Sequence, residues 1–283
     1  MDDRTMNTTP ESSAAKPRRG LRPGRRRLLM AALALGLALA AAAVETRRLD
    51  RLEPDETMVL SGFPELSGLA WMPRRGTLLA VSDEGFVGEL SLDGNLVRRR
   101  RFEGRDLEGV MLVEGGETAL LLDEGRGRLL RLRISDFEVL SESGLPAESM
   151  GSTSPNRSYE GLCAGPAPGS LTLLNEDPPV LAAWDRHADR VSVTDVLSCG
   201  MASAVMRDPS GRILVLLSRD SGLARMEGAR IGAWRPVADL FLEGMALVPG
   251  VGLFVAVDRK PSRLLLFRSL DSWRKLLEAL PDV

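Results

Sequence analysis

The chain has 283 residues, of which 44% are hydrophobic and 27% charged, and its formal net charge at pH 7 is -2. This length and apolar content suffice for a sizeable hydrophobic core. Because positive and negative charges nearly balance, we exclude a general nucleic-acid binder, which needs a strongly basic surface. Aromatic residues make up only 4% of the chain, so the core must consist mainly of Leu, Val, Ala and Met.

The N-terminal region contains a candidate membrane segment. Residues 1–27 form an arginine-rich tail that lacks apolar periodicity and is predicted to be disordered. Residues 28–44 are an uncharged apolar run. This run is predicted to be an uncleaved membrane anchor, which the long basic tail favours, or a cleaved secretory signal, which its alanine-rich end favours. In both cases the positive-inside rule places the rest of the chain on the far side of the membrane, in the cell envelope.

A short sequence phrase recurs five times after a charged linker at residues 45–55. Each copy has an acidic or small residue, then Gly or Ala, then an apolar run. The copies begin at Glu65, Glu108, Glu160, Ser203 and Glu243, at intervals of 43, 52, 43 and 40 residues. Such a period is typical of β-propeller blades, which are small sheets that bury their faces against their neighbours. Residues 56–283 are therefore predicted to form one all-β propeller domain.

Apolar strands follow the phrase in every repeat. The second strands are predicted at Thr77–Val81, Thr118–Leu122, Leu171–Leu174, Ile213–Leu217 and Leu253–Val257. These runs are almost continuously apolar, as expected of strands that are covered on both faces. An ordinary sandwich of five hairpins is the alternative, but the same order of elements in all five units favours a propeller.

Three further segments concern how the propeller is completed. The strand at Glu56–Phe63 precedes the first repeat and is expected to add the outer strand of the last blade, which closes the ring. The stretch Ser135–Ser158 is rich in Ser, Pro and Gly and is predicted to be a loop insertion. A degenerate sixth blade in that stretch is the alternative to five blades. Residues Asp271–Leu280 place Trp273, Leu276, Leu277 and Leu280 at helical spacing and are predicted to form a short helix.

Several motifs in a fixed order resemble the SdiA-regulated family of exported β-propellers. They are Leu66-Ser67-Gly68-Leu69-Ala70-Trp71, Val81-Ser82-Asp83-Glu84, Asp106-Leu107-Glu108-Gly109, Tyr159-Glu160-Gly161-Leu162 and Asn175-Glu176-Asp177-Pro178. The resemblance covers about residues 57–268 and implies a five- or six-bladed propeller of the bacterial envelope, in which bound calcium is expected. The fourth and fifth repeats depart from the family pattern at Ala202-Ser203-Ala204 and Asp258-Arg259-Lys260-Pro261. The acidic site is therefore not expected to be complete on those two blades. A looser similarity links the chain to esterase-like phytase propellers.

The acidic residues of the repeats are the candidate functional site. The innermost strands of a propeller line a central channel, so the residues that open these strands surround one mouth of it. Carboxylates held this close repel one another unless a cation or hydrogen bonds compensate their charge, and oxygen-only ligands suit Ca²⁺. The candidate calcium ligands are Glu65, Glu108, Glu160 and Glu243 at the anchors, and Asp83, Glu124 and Glu176 after the second strands. The alternative is that each anchor Glu accepts backbone N–H bonds from the adjacent blade and only ties the blades together.

The residue types favour a binding module over an enzyme. His187 is the only histidine and lies in a polar stretch, so no catalytic triad is predicted, and neither a phosphate-binding loop nor a zinc-binding spacing occurs. We expect a monomeric, envelope-anchored propeller that binds an unknown ligand or envelope protein, with Ca²⁺ as its cofactor. The alternative is a calcium-dependent, phytase-like phosphoesterase or esterase at the same mouth. The two cysteines, Cys163 and Cys199, could pair in an exported protein, but their offset along neighbouring strands argues against a disulfide.

Overall fold

The structure is a computed structural model that describes residues 51–146, 159–197, 200–218, 221–228 and 230–268. The basic tail, the apolar run at residues 28–44 and the predicted helix at Asp271–Leu280 lie outside the described residues. Within these described ranges, no helix is long and apolar enough to cross a membrane.

Five antiparallel sheets of four strands each form a five-bladed propeller, which confirms the predicted fold class and the preferred blade number. The first strand along the chain is β1 (Glu56–Val59). From the axis outward, blade one consists of β2 (Leu66–Met72), β3 (Thr77–Ser82), β4 (Phe86–Leu90) and β5 (Leu96–Arg101). Blade two consists of β6 (Leu107–Val113), β7 (Thr118–Asp123), β8 (Arg128–Arg133) and β9 (Glu138–Gly144), with a short 3₁₀ turn at Glu114–Gly116. Blade three consists of β10 (Tyr159–Ala164), β11 (Leu171–Asn175), β12 (Val180–Asp185) and β13 (Arg190–Val196). Blade four consists of β14 (Ala204–Arg207), β15 (Ile213–Leu217), β16 (Gly222–Glu227) and β17 (Arg230–Pro236). Blade five consists of β18 (Leu242–Val248), β19 (Gly252–Val257), β20 (Arg263–Phe267) and β1.

The ring is closed by the N-terminal strand, as the sequence predicts. Strand β1 pairs antiparallel with β20, from Glu56 opposite Leu266 to Val59 opposite Arg263. Blade five is therefore built from both ends of the propeller domain. Ahead of β1, Leu52 forms a parallel bridge with Val237, next to the outer strand of blade four. The segment before β1 is therefore also bound to the propeller.

The prediction for Ser135–Ser158 needs correction. The structure places strand β9 at Glu138–Gly144, where it is the outer strand of blade two. Almost every residue of β9 is exposed, so the segment lacks the apolar alternation by which a strand is detected in sequence. Residues 147–158 lie outside the described part of the chain.

The hydrophobic core lies between neighbouring blades. One cluster of buried side chains, for example, combines Leu79 and Val81 of β3 with Leu121 of β7 and Leu130 of β8. All six residues of β7 and all six of β19 are buried. This burial on both faces is the physical reason for the continuous apolar runs of the second strands.

Cys163 is a free thiol that packs in the cluster between blades three and four. Burial raises the pKa of this thiol to about 11. The side chain therefore stays protonated at neutral pH and behaves as a small apolar residue. Cys199 lies outside the described residues.

The Gly of the repeated phrase allows the innermost strands to approach one another closely. A Cβ atom added at Gly68 would lie 2.2 Å from the backbone oxygen of Glu108, and one added at Gly109 would lie 2.9 Å from that of Glu160. The innermost strands therefore pack with little space between their backbones at Gly68 and Gly109, which leaves no room for a side chain at these two positions. Blade four has Ala204 at the corresponding position.

Candidate functional site

The site is formed where the innermost strands begin. The pairing of each of four innermost strands with the next strand shifts register near its start, and the shifts lie between Leu66 and Gly68, Leu107 and Val110, Tyr159 and Gly161, and Leu242 and Met245. Ser67, Glu108, Glu160 and Glu243 lie within these bulges. A bulge adds an unpaired residue and redirects its side chain, which explains why the same position of four blades serves the site.

The strand pairing shows that the repeated phrase of blade one begins two residues after the position predicted from the sequence. Ser67, and not Glu65, occupies the bulge that corresponds to that of Glu108. The Glu65 carboxylate forms an ion pair with the Lys260 ammonium at 2.6 Å. The innermost ring therefore consists of three glutamates and two serines, namely Ser67, Glu108, Glu160, Ser203 and Glu243.

A small cavity of about 20 Å³ lies on the propeller axis at this ring. Ser67, Glu108, Glu160 and Glu243 line the cavity, together with residues of the innermost strands, and the lining includes no Lys, Arg or His among the described residues. Glu108 is only 9% exposed. A cavity of this volume holds about one water-sized species.

The pKa values of the three channel glutamates are raised above the usual value of a Glu. Burial raises the pKa of Glu108 well above its usual value, and the negative charge of Glu160 adds to this effect. Burial and the negative charge of Glu124 likewise raise the pKa of Glu160 well above its usual value. For Glu243, burial and repulsion by Asp83 raise the pKa to about 8. Each group loses hydration and gains a like charge as a neighbour, so in a cation-free site the neutral acid is stabilised.

A second group of carboxylates follows the second strands and surrounds the same mouth. Burial, followed by repulsion from Asp258, raises the pKa of Asp83 to about 7. The Ser67 hydroxyl also donates a hydrogen bond to Asp83. Glu124 and Glu176 both raise the pKa of Glu160. The structure thus brings the predicted residues of the second group close to the channel glutamates.

Three carboxylates have the mutual distances of a metal site. One carboxylate oxygen each of Asp106, Glu108 and Glu124 lies within 4.8 Å of the other two. Calcium bonds to oxygen are about 2.3–2.6 Å long, so ligand oxygens of one ion lie up to about 5 Å apart. Burial raises the pKa of Asp106 as well, with a smaller contribution from Asp123.

Two basic residues near the mouth, Arg105 and Lys260, are paired with carboxylates outside the innermost ring. The Arg105 guanidinium lies 2.6 Å from Asp123, whose side chain is fully buried, and 2.5 Å from Glu142. These two ion pairs fix the connection between blades one and two. With Lys260 paired to Glu65, these cations neutralise the periphery of the mouth rather than the channel glutamates.

Blades four and five differ in the side chains that they contribute to the mouth of the channel. The Ser203 hydroxyl donates a 2.5 Å hydrogen bond to the backbone oxygen of Leu242, so blade four supplies a tie between blades in place of a carboxylate. The expectation that blade five is also incomplete needs correction. Asp258 follows β19 just as Asp83 follows β3, and it raises the pKa values of both Asp83 and Glu243.

Sequence reasoning missed three residues of the site, Ser67, Asp106 and Asp258. Asp106 stands two residues before Glu108, and Asp258 comes directly after a predicted second strand. An alignment of the repeats on the ends of their second strands would have identified Asp258, which then matches Asp83. Asp106 instead precedes an innermost strand, at the place relative to Glu108 that Glu65 has relative to Ser67. Ser67 precedes Gly68 as Glu108 precedes Gly109, so an alignment of the repeats on the Gly of the phrase would have identified it.

Comparisons with known proteins agree with this architecture. The family model described as SdiA-regulated matches residues 54–232. The solved structure of the glutaminyl cyclase of Myxococcus xanthus is similar, with a TM-score of 0.60, 14% identity, and coverage of 76% of this chain and 97% of that chain. A protein of unknown function from Bacteroides caccae has a TM-score of 0.48 and 14% identity, with coverage of 69% and 72% of the two chains. No curated protein sequence matches the chain. The likeness to the glutaminyl cyclase concerns the fold alone. The family match spans more than half of the sequence, and the chain belongs to the SdiA-regulated family.

Proposed function

We propose that the mouth of the channel binds Ca²⁺ and that the protein is a ligand- or partner-binding propeller. The observation that carries the proposal is the carboxylate cluster around Glu108. Three of its oxygen donors, from Asp106, Glu108 and Glu124, lie within 4.8 Å of one another. A cation at this position would replace the protons that the buried carboxyls otherwise hold, so the cost of burying these acids would be offset by metal bonds.

The donor set favours calcium over other metals. Carboxylate and hydroxyl oxygens are hard ligands. Among the described residues that line the cavity there is no His or Cys, and Met245 is the only residue with a sulfur atom. Mg²⁺ requires a near-ideal octahedron with oxygens at about 2.0–2.1 Å, whereas Ca²⁺ accepts irregular sites of 6–8 oxygens. Asp106, Glu108 and Glu124 come from strand β6 and the connections next to β6 and β7 of blade two, and such an irregular cluster suits the more tolerant ion.

The rival function is a calcium-dependent phosphoesterase or esterase. It requires a general base or nucleophile at the mouth. His187 lies in the turn between β12 and β13, which is at the end of the propeller opposite the mouth. His187 therefore cannot act at the mouth, and a hydrolase at this site would have to use one of the mouth carboxylates as its base.

A calcium titration of the full chain tests the proposal. Calorimetry at pH 6.5 and pH 8.5 should give an affinity that rises with pH, because bound protons must leave the carboxyls before the metal can bind. Glu108→Gln should weaken binding at least about tenfold, since it removes one charged ligand. The control is Glu117→Gln, whose side chain is 69% exposed and paired with Arg74 at the opposite end, and it should bind like the wild type.

Two results would contradict the proposal. The first is a titration without heat and without any rise in melting temperature, since saturation at about 100 times the Kd should stabilise the protein by about 2.7 kcal/mol. The second is turnover of phytate, a chromogenic ester or an N-terminal glutaminyl peptide that disappears with chelator and in Glu108→Gln. Such turnover would establish an enzyme in place of a binding module.

We also propose that residues 28–44 hold the propeller at the membrane of the bacterial envelope. The support is the uncharged apolar run preceded by the arginine-rich tail. The full chain should sediment with membranes and be digested by protease added to spheroplasts. Deletion of residues 1–49 should release the propeller into the soluble fraction, and equal distribution of both forms would contradict the assignment.

A further inference from the structure

The outer edge of blade one is strongly basic. Strand β5 is the last strand of its sheet, so one side of its backbone is unpaired within the blade. The strand ends in Arg98, Arg99, Arg100 and Arg101, and all of these except Arg98 are exposed. We call the residues Leu96–Arg101 the arginine edge. Charged residues on an outer strand discourage pairing with a further strand. That role needs only charge, whereas the arginines of β5 are also held in fixed positions.

Each guanidinium group of the arginine edge is stacked on an aromatic ring. The distances from the guanidinium carbon to the ring centroid are 4.1 Å for Arg98 on Phe137, 4.7 Å for Arg99 on Phe86, 5.0 Å for Arg100 on Phe102 and 5.2 Å for Arg101 on Phe86. Phe86 packs on the core between blades five and one, and Phe102 packs on the core between blades one and two. A guanidinium held by its face keeps its N–H groups in a fixed plane, which suits the bidentate recognition of phosphate.

Two of these arginines retain hydrogen-bonding capacity for a ligand. Arg99 and Arg100 each donate one hydrogen bond to a backbone oxygen. Neither has a carboxylate partner within the part of the chain that the structure describes, whereas the other two arginines are paired with Glu89 and Glu103. Because an arginine carries five N–H donors, most donors of Arg99 and Arg100 are available to an anion.

Exposed aliphatic side chains accompany the arginines. Val97 of the same strand is 54% exposed, and Val59 of β1 is 57% exposed. The two strands are close together, since a Cβ atom added at Gly94, in the turn before β5, would lie 3.0 Å from the Cβ atom of Met58. A soluble polyanion offers these valines no apolar partner, whereas the surface of a membrane combines phosphate groups with hydrocarbon.

We propose that the arginine edge binds the phosphate groups of anionic phospholipids and holds blade one against a membrane surface. Arg99 and Arg100 supply hydrogen bonds to phosphate, and Val97 and Val59 pack against hydrocarbon at the level of the headgroups. The surface consists of strand residues of blades one and five, so the proposal is independent of calcium at the mouth and of a membrane segment. Contact at the rim of the ring places the propeller axis along the membrane plane and leaves the acidic mouth open to a ligand.

Methyl NMR of the full chain in bicelles tests this contact. The bicelles contain phosphatidylcholine with or without phosphatidylglycerol, and a trace of lipid with gadolinium at its headgroup relaxes nearby methyl groups. Phosphatidylglycerol should raise the relaxation of the Val97 and Val59 methyls at least about fivefold, which is the effect of one basic residue at an anionic surface. The methyls of Leu140 and Val193, which are 40% and 48% exposed on the outer strands of blades two and three, should change little. Added salt should reverse the increase, because it screens exposed charges.

A matched pair of double variants makes the test specific. Arg99→Gln with Arg100→Gln should abolish the increase that phosphatidylglycerol causes. Arg74→Gln with Arg186→Gln removes the same charge from exposed positions elsewhere on the propeller and should retain the increase. Val97→Asp, observed at the Val59 methyls, places a carboxylate among the arginines without removing their aromatic contacts and should also abolish it.

Three results would overturn the proposal. If phosphatidylglycerol does not increase relaxation in the wild type, the arginines only protect the edge of blade one against strand pairing. If the increase survives Arg99→Gln with Arg100→Gln, or is equally large at Val193, another surface binds the lipid. If soluble polyglutamate shifts the methyl signals of Val97 and Val59 more than phosphatidylglycerol does, the partner is an acidic polypeptide.

Discussion

Glu243 couples the stability of the propeller to pH. Its pKa in the folded protein is about 8, because burial and the charges of Asp83 and Glu176 disfavour the carboxylate. The pKa of an unfolded Glu is about 4.3. The folded state therefore binds more protons than the unfolded state between these two values, and the free energy of unfolding falls as pH rises through this window.

We predict that Glu243→Gln stabilises the cation-free protein at pH 8 by about 1–3 kcal/mol and has little effect at pH 4.5. The neutral amide removes the cost of ionising a buried acid. Urea denaturation at both pH values in the presence of chelator measures the change. Glu103→Gln, at a side chain that is 80% exposed, serves as the control and should leave the free energy of unfolding unchanged at both pH values. If the free energy of unfolding of Glu243→Gln falls with pH as steeply as that of the wild type, the Glu243 carboxyl is not the source of the pH dependence.

The innermost strands depend on glycine at the point of closest approach. An added Cβ atom at Gly68 would meet a backbone oxygen, which cannot move aside as the end of a flexible side chain can. We predict that Gly68→Ala destabilises the fold by about 1–3 kcal/mol, which is typical of overpacking. The control is Gly144→Ala on the exposed outer strand β9, where the nearest atom is 4.0 Å away at the end of the Arg128 side chain. Denaturation midpoints of the two variants should differ clearly, and equal midpoints would argue against close packing of the innermost strands.

Elements that are buried on both faces could be predicted from the sequence, and exposed ones could not. Strands such as β7 and β19 are runs of apolar residues because two blades cover them. Strand β9 has a polar, exposed surface and reads as a loop. The acidic mouth could be predicted because it recurs with the blades. The sequence pattern predicts Glu65 for blade one because it is the acid nearest to the phrase, but the bulge near the start of β2 lies at Ser67. An alignment on Gly68, Gly109, Gly161 and Gly244 would have placed Ser67 there.

The propeller as a whole is held closed by a strand from the opposite end of the domain. In β1, Met58 is buried with 8% exposure, whereas its neighbour Val59 is 57% exposed. Met58 belongs to the cluster that joins Leu264 and Leu266 of blade five to Leu78 of blade one. Its side chain therefore stabilises the interface across which the ring is joined.

We predict that Met58→Ala destabilises the full chain by about 2–5 kcal/mol, as expected for deletion of a buried methionine side chain. Val59→Ala removes a side chain from the same strand without opening a cavity and should cost no more than about 0.5 kcal/mol. Both variants keep the backbone pairing of β1 with β20, so the difference reports the packing of the closing strand alone. Chemical denaturation measures it. Equal costs would mean that β1 adds its hydrogen bonds to blade five but does not stabilise the junction with blade one.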